Sequence, residues 1–257
     1  MRLDGKRIFV TGGANGCGEG VVRGLIAEGA SVVSTDIDDI RGRSIVDELN
    51  VGERLSYMHL DVSKREDVFA VVNQAAAHLG ALDGLVNSGG NILHCAPEDV
   101  TDEKWDTIFN VHVKGTLYTN QAVFPHLRAA GGGTIVNFGS AAAIRGAPTF
   151  SIYSAAKGAV FAWTRALAID WGQYNIRANA IAPFMESSLQ EESKRTGTPE
   201  ERARLEGSTR AVTKIRGALG KAEYDLAPMI ALLLSDGGTY ITGQVLAVDG
   251  GFAMLGS

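Results

Sequence analysis

Ile8-Phe9-Val10-Thr11-Gly12-Gly13-Ala14-Asn15-Gly16-Cys17-Gly18 decides the fold: an apolar run, then glycines, then Val21, Val22, Leu25 and Ile26 on one helical face. A strand that turns through glycines into a helix aims free N–H groups at the turn, where a pyrophosphate can approach the backbone. The spacing is Gly-x-x-x-Gly-x-Gly, and by itself it fits a tight turn without a ligand equally well. Asp36 changes that balance. It ends the second apolar run, Ser31 to Thr35, 18 residues past Gly18, where an acid takes both ribose hydroxyls of an adenosine. Gly12, Asn15, Gly16, Cys17 and Gly18, with Asp36 and the adjacent Ile37, are therefore candidate dinucleotide contacts.

The same alternation continues outward from this unit. Further strands are expected at Leu55 to Leu60, Gly84 to Asn87, Thr134 to Phe138, Arg177 to Ile181 and Val245 to Val248. Val68, Val71, Val72, Ala75 and Leu79 keep a helical period between them. Ser63 with Glu66 has capping-box spacing, and Gly29 and Gly80 stand where helices should end. Apolar strands alternating with helices predict α/β architecture: a single-domain, doubly wound Rossmann fold over residues 1–257 with a seven-stranded parallel sheet. The charged stretch 184–220 breaks the rhythm and is read as a lid, with Leu189 and Leu205 available to face inward.

Composition narrows the function. The 24 Lys and Arg against 29 Asp and Glu leave a net charge of −5, which argues against a nucleic-acid surface. No apolar stretch approaches the ~20 residues of a membrane span. Two cysteines, Cys17 and Cys95, are too few for a disulfide scaffold, so a cytoplasmic protein is expected. Five histidines show no metal-ligand spacing, and no metal is expected.

A second signal is Tyr153-Ser154-Ala155-Ala156-Lys157, on a segment of helical period through Trp171. An i, i+4 pair shares one face, so the ammonium can stand beside the phenol. Ser140 follows the fifth strand, 13 residues before Tyr153. Together with Thr11 to Gly18, Asp61-Val62, Asn87 to Gly90, Asn110-Val111 with Gly115, and Ile241-Thr242-Gly243-Gln244 through Asp249-Gly250-Gly251, these residues make the whole chain resemble the short-chain dehydrogenase/reductase family. It is similar to the branch of about 250 residues with a Tyr-x-x-x-Lys site.

The resemblance implies hydride transfer between a carbinol carbon and a nicotinamide, with Asn110, Ser140, Tyr153 and Lys157 as the catalytic tetrad. Tyr153 would be the acid/base, Lys157 would lower its pKa and hold the nicotinamide ribose, Ser140 would bind the substrate oxygen, and Asn110 would hold a relaying water. Asp61 and Val62 would border the adenine, Asn87 and Gly89 the cofactor loop, and Pro183 the carboxamide; the threonine that follows in the family corresponds to Ser187 or Ser188, with Ser188 carried as the contact. Asp36 selects NAD. Two departures stand out: Asn87-Ser88-Gly89-Gly90 replaces Asn-Asn-Ala-Gly, predicting a looser loop, and Phe184 replaces a glycine after Pro183. Cys17 replaces an aliphatic residue and is expected to be small apolar filler.

His94, Ala142, Arg145 and Phe184 are the candidate substrate contacts, and the mostly apolar residues around them predict a hydrophobic secondary alcohol or its ketone. The alternatives are a 3-oxoacyl carrier-protein reductase and a non-catalytic NAD-sensing protein on the same fold. A homotetramer is implied by the family, with Trp105, Phe109, Phe161, Trp163 and the tail Phe252-Ala253-Met254-Leu255 as candidate interface residues.

Overall fold

A computed structural model describes residues 1–186, 195–196 and 198–254, so Ser187, Ser188 and Leu189 of the expected lid and Leu255 of the tail lie outside the described residues. The first unit is β1 (Arg7–Thr11), α1 (Gly16–Ala27) and β2 (Ser31–Asp36). It is followed by α2 (Asp39–Leu49), β3 (Leu55–His59), α3 (Arg65–Leu79) and β4 (Gly84–Asn87). The second half holds α4 (Asp102–Phe109), α5 (Gly115–Ala129), β5 (Gly133–Phe138), the short α6 (Ala141–Arg145), α7 (Ser151–Trp171) and β6 (Ile176–Pro183). Then come α8 (Pro199–Val212), α9 (Ala227–Leu234) and β7 (Val245–Val248).

All seven strands are parallel, in the order β3-β2-β1-β4-β5-β6-β7. A fully paired parallel sheet has no wet face, and this is why the strands read as apolar runs rather than alternating ones. On one face Val21, Val22 and Leu25 of α1 and Ile230 and Leu233 of α9 pack on Ile8, Val10 and Val32. On the other, Val68 and Val72 of α3, Val123 and Leu127 of α5 and Leu167 of α7 cover Phe9, Val33, Leu85 and Ile135. Each of these fully buried side chains contributes on the order of 1.5–3 kcal/mol relative to exposure, so the two layers hold the sheet rigid. Chain order reverses between β1 and β4, and the crevice above their carboxyl ends is where such sheets bind ligands.

Helix ends follow the expected signals with one exception. Gly80 closes α3 at φ 81, and Gly29, at φ 97, follows α1. The Ser63–Glu66 box does not form: α3 begins after Lys64, which makes no side-chain cap, while the Ser63 N–H and hydroxyl both donate to Asp61 Oδ1 at 3.0 and 2.7 Å. A carboxylate two residues upstream is the stronger acceptor, so it captures the hydroxyl the box needs. Between α4 and α5 the chain makes a π-turn, Asn110–Lys114. Among the described residues no helix is long and apolar enough to cross a membrane.

Candidate active site

The glycine turn folds as the sequence predicts because its backbone has no room for side chains. Gly12 sits at φ 67, and a β-carbon on it would meet Gly89 Cα at 2.3 Å. The turn thus lies directly on the loop after β4. Asn15 enters α1 in an extended conformation and caps it with no side-chain hydrogen bond, leaving the first N–H groups of the helix facing the crevice. Asp36 Oδ2 accepts from the Ala14 N–H at 3.1 Å, while its Oδ1 accepts from the N–H groups of Ile37 and Asp38 at 2.8 and 3.2 Å. The carboxylate is thereby fixed at the rim of the same turn. Uncapped helix N–H groups beside a glycine cradle and an anchored acid fit a dinucleotide.

The loop after β4 is better braced than expected. Ser88 Oγ donates to the Thr11 carbonyl at 2.5 Å, and the Gly89 N–H lies 3.4 Å from Thr11 Oγ1. Asn87 is buried, and its amide donates to Asn137 Oδ1 at 2.8 Å. Asn137 in turn donates to Asn120 Oδ1 at 3.1 Å and Thr164 Oγ1 at 3.0 Å, and the Trp163 indole N–H donates to Asn120 Oδ1 at 3.0 Å. This network ties β4, β5, α5 and α7 together, and it engages the Asn87 side chain in the sheet rather than leaving it to the cofactor loop. The serine hydroxyl and the asparagine network supply the bracing that the motif's substitution seemed to remove. Asp61 is tied to Ser63, Val62 lies against Gly115, and Pro183 ends β6 beside Val248.

Three members of the expected tetrad converge. Ser140 follows β5 and caps α6, its Oγ accepting from the Ala142 N–H at 3.1 Å, and the same side chain lies close enough to the Tyr153 phenol to lower its pKa. Lys157, one turn further along α7, is 5% exposed, and its ammonium lies 5.8 Å from the Tyr153 ring centre. It donates to the Phe138 carbonyl at 2.8 Å. Burial pushes the Tyr153 phenol above its ordinary value, and the Ser140 hydrogen bond opposes that shift. Burial also lowers Lys157 to about 7. Ser140 is thus one of the chain's own means of holding the Tyr153 phenol down.

Asn110 begins the π-turn that precedes α5. From the same turn His112 reaches the cluster: its ring stands edge-on to Tyr153, with centroids 5.3 Å apart and planes at 89°. His112 is the residue that sequence reasoning missed. The available signal was its register: it lies three residues before Gly115, which packs on Val62 of the adenine side.

The expected substrate wall is partly assembled. Phe184 stacks on Phe252 at 4.0 Å, and the Arg145 guanidinium covers the Phe252 ring at 4.6 Å. Phe252 therefore belongs to the wall, although the sequence suggested it only as an interface residue. His94 lies one ring away from Tyr153: its Nδ1 is 3.1 Å from Thr149 Oγ1 and its ring is edge-on to Phe150, which in turn packs edge-on to Tyr153. Phe161, 6% exposed and packed over Gly139, is internal, while Trp163, its indole tied to Asn120, is half-buried. Trp105, stacked on Phe109, does remain exposed. Burial raises the Cys17 thiol to about 11, so it is inert filler packed beside the core and not a reactive thiolate.

Comparison with known proteins agrees with this geometry. Residues 12–253 match the family described as enoyl-(acyl carrier protein) reductase. The chain is 34% identical to 2-(S)-hydroxypropyl-CoM dehydrogenase 3 of Xanthobacter autotrophicus, over 99% of both chains. It is 32% identical to cyclopentanol dehydrogenase of Comamonas sp., over 98% of both. It superposes with a TM-score of 0.86 on 3-ketoacyl-(acyl-carrier-protein) reductase of Brucella melitensis complexed with NADH, at 32% identity over 98% of this chain and 100% of that one.

Proposed function

Because the chain belongs to the short-chain dehydrogenase/reductase family, we propose that it is an NAD-dependent oxidoreductase interconverting a hydrophobic secondary alcohol and its ketone. The observation that carries this reading is the cluster of Ser140, Tyr153 and the buried Lys157, held at the carboxyl ends of the strands. A nicotinamide bound there would supply the carbon that exchanges hydride with the substrate. Asp36 supports NAD over its 2′-phosphorylated form, because a carboxylate accepts from two hydroxyls and repels a phosphate.

Tyr153 moves the proton. Raised by burial, the phenol keeps its proton at neutral pH and is set to donate to a ketone oxygen, with Ser140 fixing that oxygen. In the oxidative direction it must first ionise. Lowering a phenol by ~3 units takes about 4 kcal/mol, and Ser140 and the Lys157 ammonium are the chain's means of supplying part of it. Phe184, Phe252 and Ala142 offer an apolar surface that excludes water from the reacting carbon, and Arg145, spread over Phe252, can meet a distal polar group.

The charged 184–220 stretch, including α8, is assigned as the lid over this surface, and the assembly as a homotetramer in which exposed Trp105 and Met254 are covered. A 3-oxoacyl reductase is the second reading, favoured by the similarity to the Brucella structure. The experiment is Tyr153→Phe assayed with NAD and a panel of cyclic, aromatic and acyl alcohols. Turnover should fall by ~10²- to 10⁴-fold with NAD affinity nearly intact. A variant retaining more than about a tenth of its activity would overturn the mechanism. Turnover confined to 3-oxoacyl or 3-hydroxyacyl chains would select the second reading.

A further inference from the structure

The acid assigned to cofactor choice is itself held, and the hold comes from the edge strand β3. Tyr57, half-buried on that strand, lays its ring on Gly42 of α2, where a β-carbon would stand 2.1 Å from the ring carbon Cε2. Packing of this kind needs no hydroxyl, and a phenylalanine would serve it equally. The hydroxyl nonetheless has two acceptors, the Asp36 carbonyl at 2.7 Å and Asp39 Oδ1 at 3.0 Å. Burial, then the hydrogen bond to Asp39 and the charges of Asp39, Asp36 and Asp38, push this phenol above its ordinary value, so at neutral pH it keeps its proton and donates.

What the donor fixes is the peptide on which the Asp36 carboxylate is built. The same carbonyl accepts from the Leu60 N–H at 2.9 Å, so both of its lone pairs are taken from the β3 side. Two of the three N–H groups that orient the carboxylate, those of Ile37 and Asp38, lie in the turn between Asp36 and Asp39. Asp38 also caps α2, accepting from the Arg41 N–H at 3.0 Å, and Asp39 opens that helix. Tyr57 thus ties both ends of a four-residue turn whose inner N–H groups aim the carboxylate. Arg41, in the first turn of the same helix, is paired with Glu19 and Glu48 at 2.5 and 2.6 Å, so its guanidinium is committed to carboxylates rather than offered to a phosphate.

We infer that Tyr57 is a positioning residue for cofactor selection: its hydroxyl fixes the Asp36–Asp39 turn so that the Asp36 carboxylate meets two ribose hydroxyls and turns away a 2′-phosphate. The inference rests on the NAD reading above. It assigns Tyr57 no contact with the cofactor; its effect passes through Asp36.

Tyr57→Phe keeps the ring on Gly42 and deletes only the donor. Fluorescence titration with NADH and with NADPH reads the consequence without a substrate. NADH should bind about 3- to 10-fold more weakly, with NADPH within about twofold of the parent. A packing role would weaken neither cofactor, and a general loosening would weaken both alike. In the Asp36→Ala background the same substitution should cost NADH less than about twofold, because the carboxylate through which it acts is gone. Gly42→Ala approaches from the other side: it keeps the hydroxyl but pushes the ring off its seat, so it should reproduce the NADH-selective loss, and it replaces Tyr57→Phe should that variant not fold. The inference is overturned if the loss in NADH is less than about threefold, if NADPH weakens by more than about twofold, or if the loss in the Asp36→Ala background is about twofold or more. Asp36→Ala alone keeps the two readings apart. An unchanged preference between NADH and NADPH there sinks the NAD assignment and this inference with it, whereas a changed preference with Tyr57→Phe inert sinks only this inference.

Discussion

Adding one methyl group at two glycines should have opposite consequences. At Gly18, in the first turn of α1, the new β-carbon would stand 1.9 Å from the Gly12 carbonyl oxygen and 2.7 Å from Ser88 Oγ. Side-chain carbons do not approach within 3.0 Å of such atoms, so the turn and helix must part by about 1.1 Å. The obstacle is backbone, and Gly12 is itself pressed on Gly89, so the strain has no soft outlet. Overpacking of this kind costs about 1–3 kcal/mol. Because the displaced atoms line the proposed pyrophosphate cradle, that energy should appear as a ~10- to 100-fold weaker NAD affinity, at 1.4 kcal/mol per factor of ten.

Gly158 provides the control. It lies inside α7 with nothing within 4 Å of the added carbon, so alanine there should stabilise by ~0.5–1 kcal/mol through helix propensity. For a chain of this length the gain should raise Tm by about 1–4 °C. Fluorescence titration with NAD and thermal melts read both variants. Unchanged NAD affinity in Gly18→Ala, or a lower Tm in Gly158→Ala, would refute the reasoning from local space.

Asp36→Ala should cost NAD about 10- to 100-fold in kcat/KM, the loss of charge-assisted hydrogen bonds, and raise the NADP/NAD ratio; steady-state kinetics with both cofactors checks it. Because burial holds the Tyr153 phenol above its ordinary value, alcohol oxidation should accelerate with rising pH and ketone reduction should not, as initial rates in both directions will show. Burial pushes Asp83 up, but the paired hydrogen bonds and charge of Arg7 hold it net below the carboxylate range. Its stabilising contribution is therefore present above its unfolded pKa and lost as pH falls through the folded value, so the Tm gap between Asp83→Asn and the parent should close below about pH 4. Phe252→Ala removes both the stack on Phe184 and the Arg145 cover; KM for cyclohexanol should rise ~5- to 30-fold with kcat little changed.

The order of strands and helices could be read from the chain because its cause is local. Val32 and Val33 lie in a continuous apolar run, as a strand buried on both faces requires, and Val68 and Val72 repeat at the helical period, signals that neighbours in sequence already display. The glycine turn, Asp36 at its rim, and Tyr153 one helical turn from Lys157 belong to the same class, since short segments set their geometry. Even these elements were bounded imperfectly: β6 runs from Ile176 to Pro183, beyond the expected Arg177 to Ile181, because pairing with β5 and β7 extends it at both ends.

Other assignments depended on helix phase and on segments far apart in the chain. That His112 meets Tyr153 is decided by how the π-turn sits against α7. The occupation of Asn87 by Asn137, and of Trp163 by Asn120, depends on β4, β5, α5 and α7 meeting in one layer. Phe252 reaches Phe184 and Arg145 only after β7 has paired beside β6 and brought the end of the chain to the site. Periodicity says which face of an element is buried, but which side chain fills a given space depends on the rotation and offset of packed elements, and those exist only once the sheet and its two helical layers have come together.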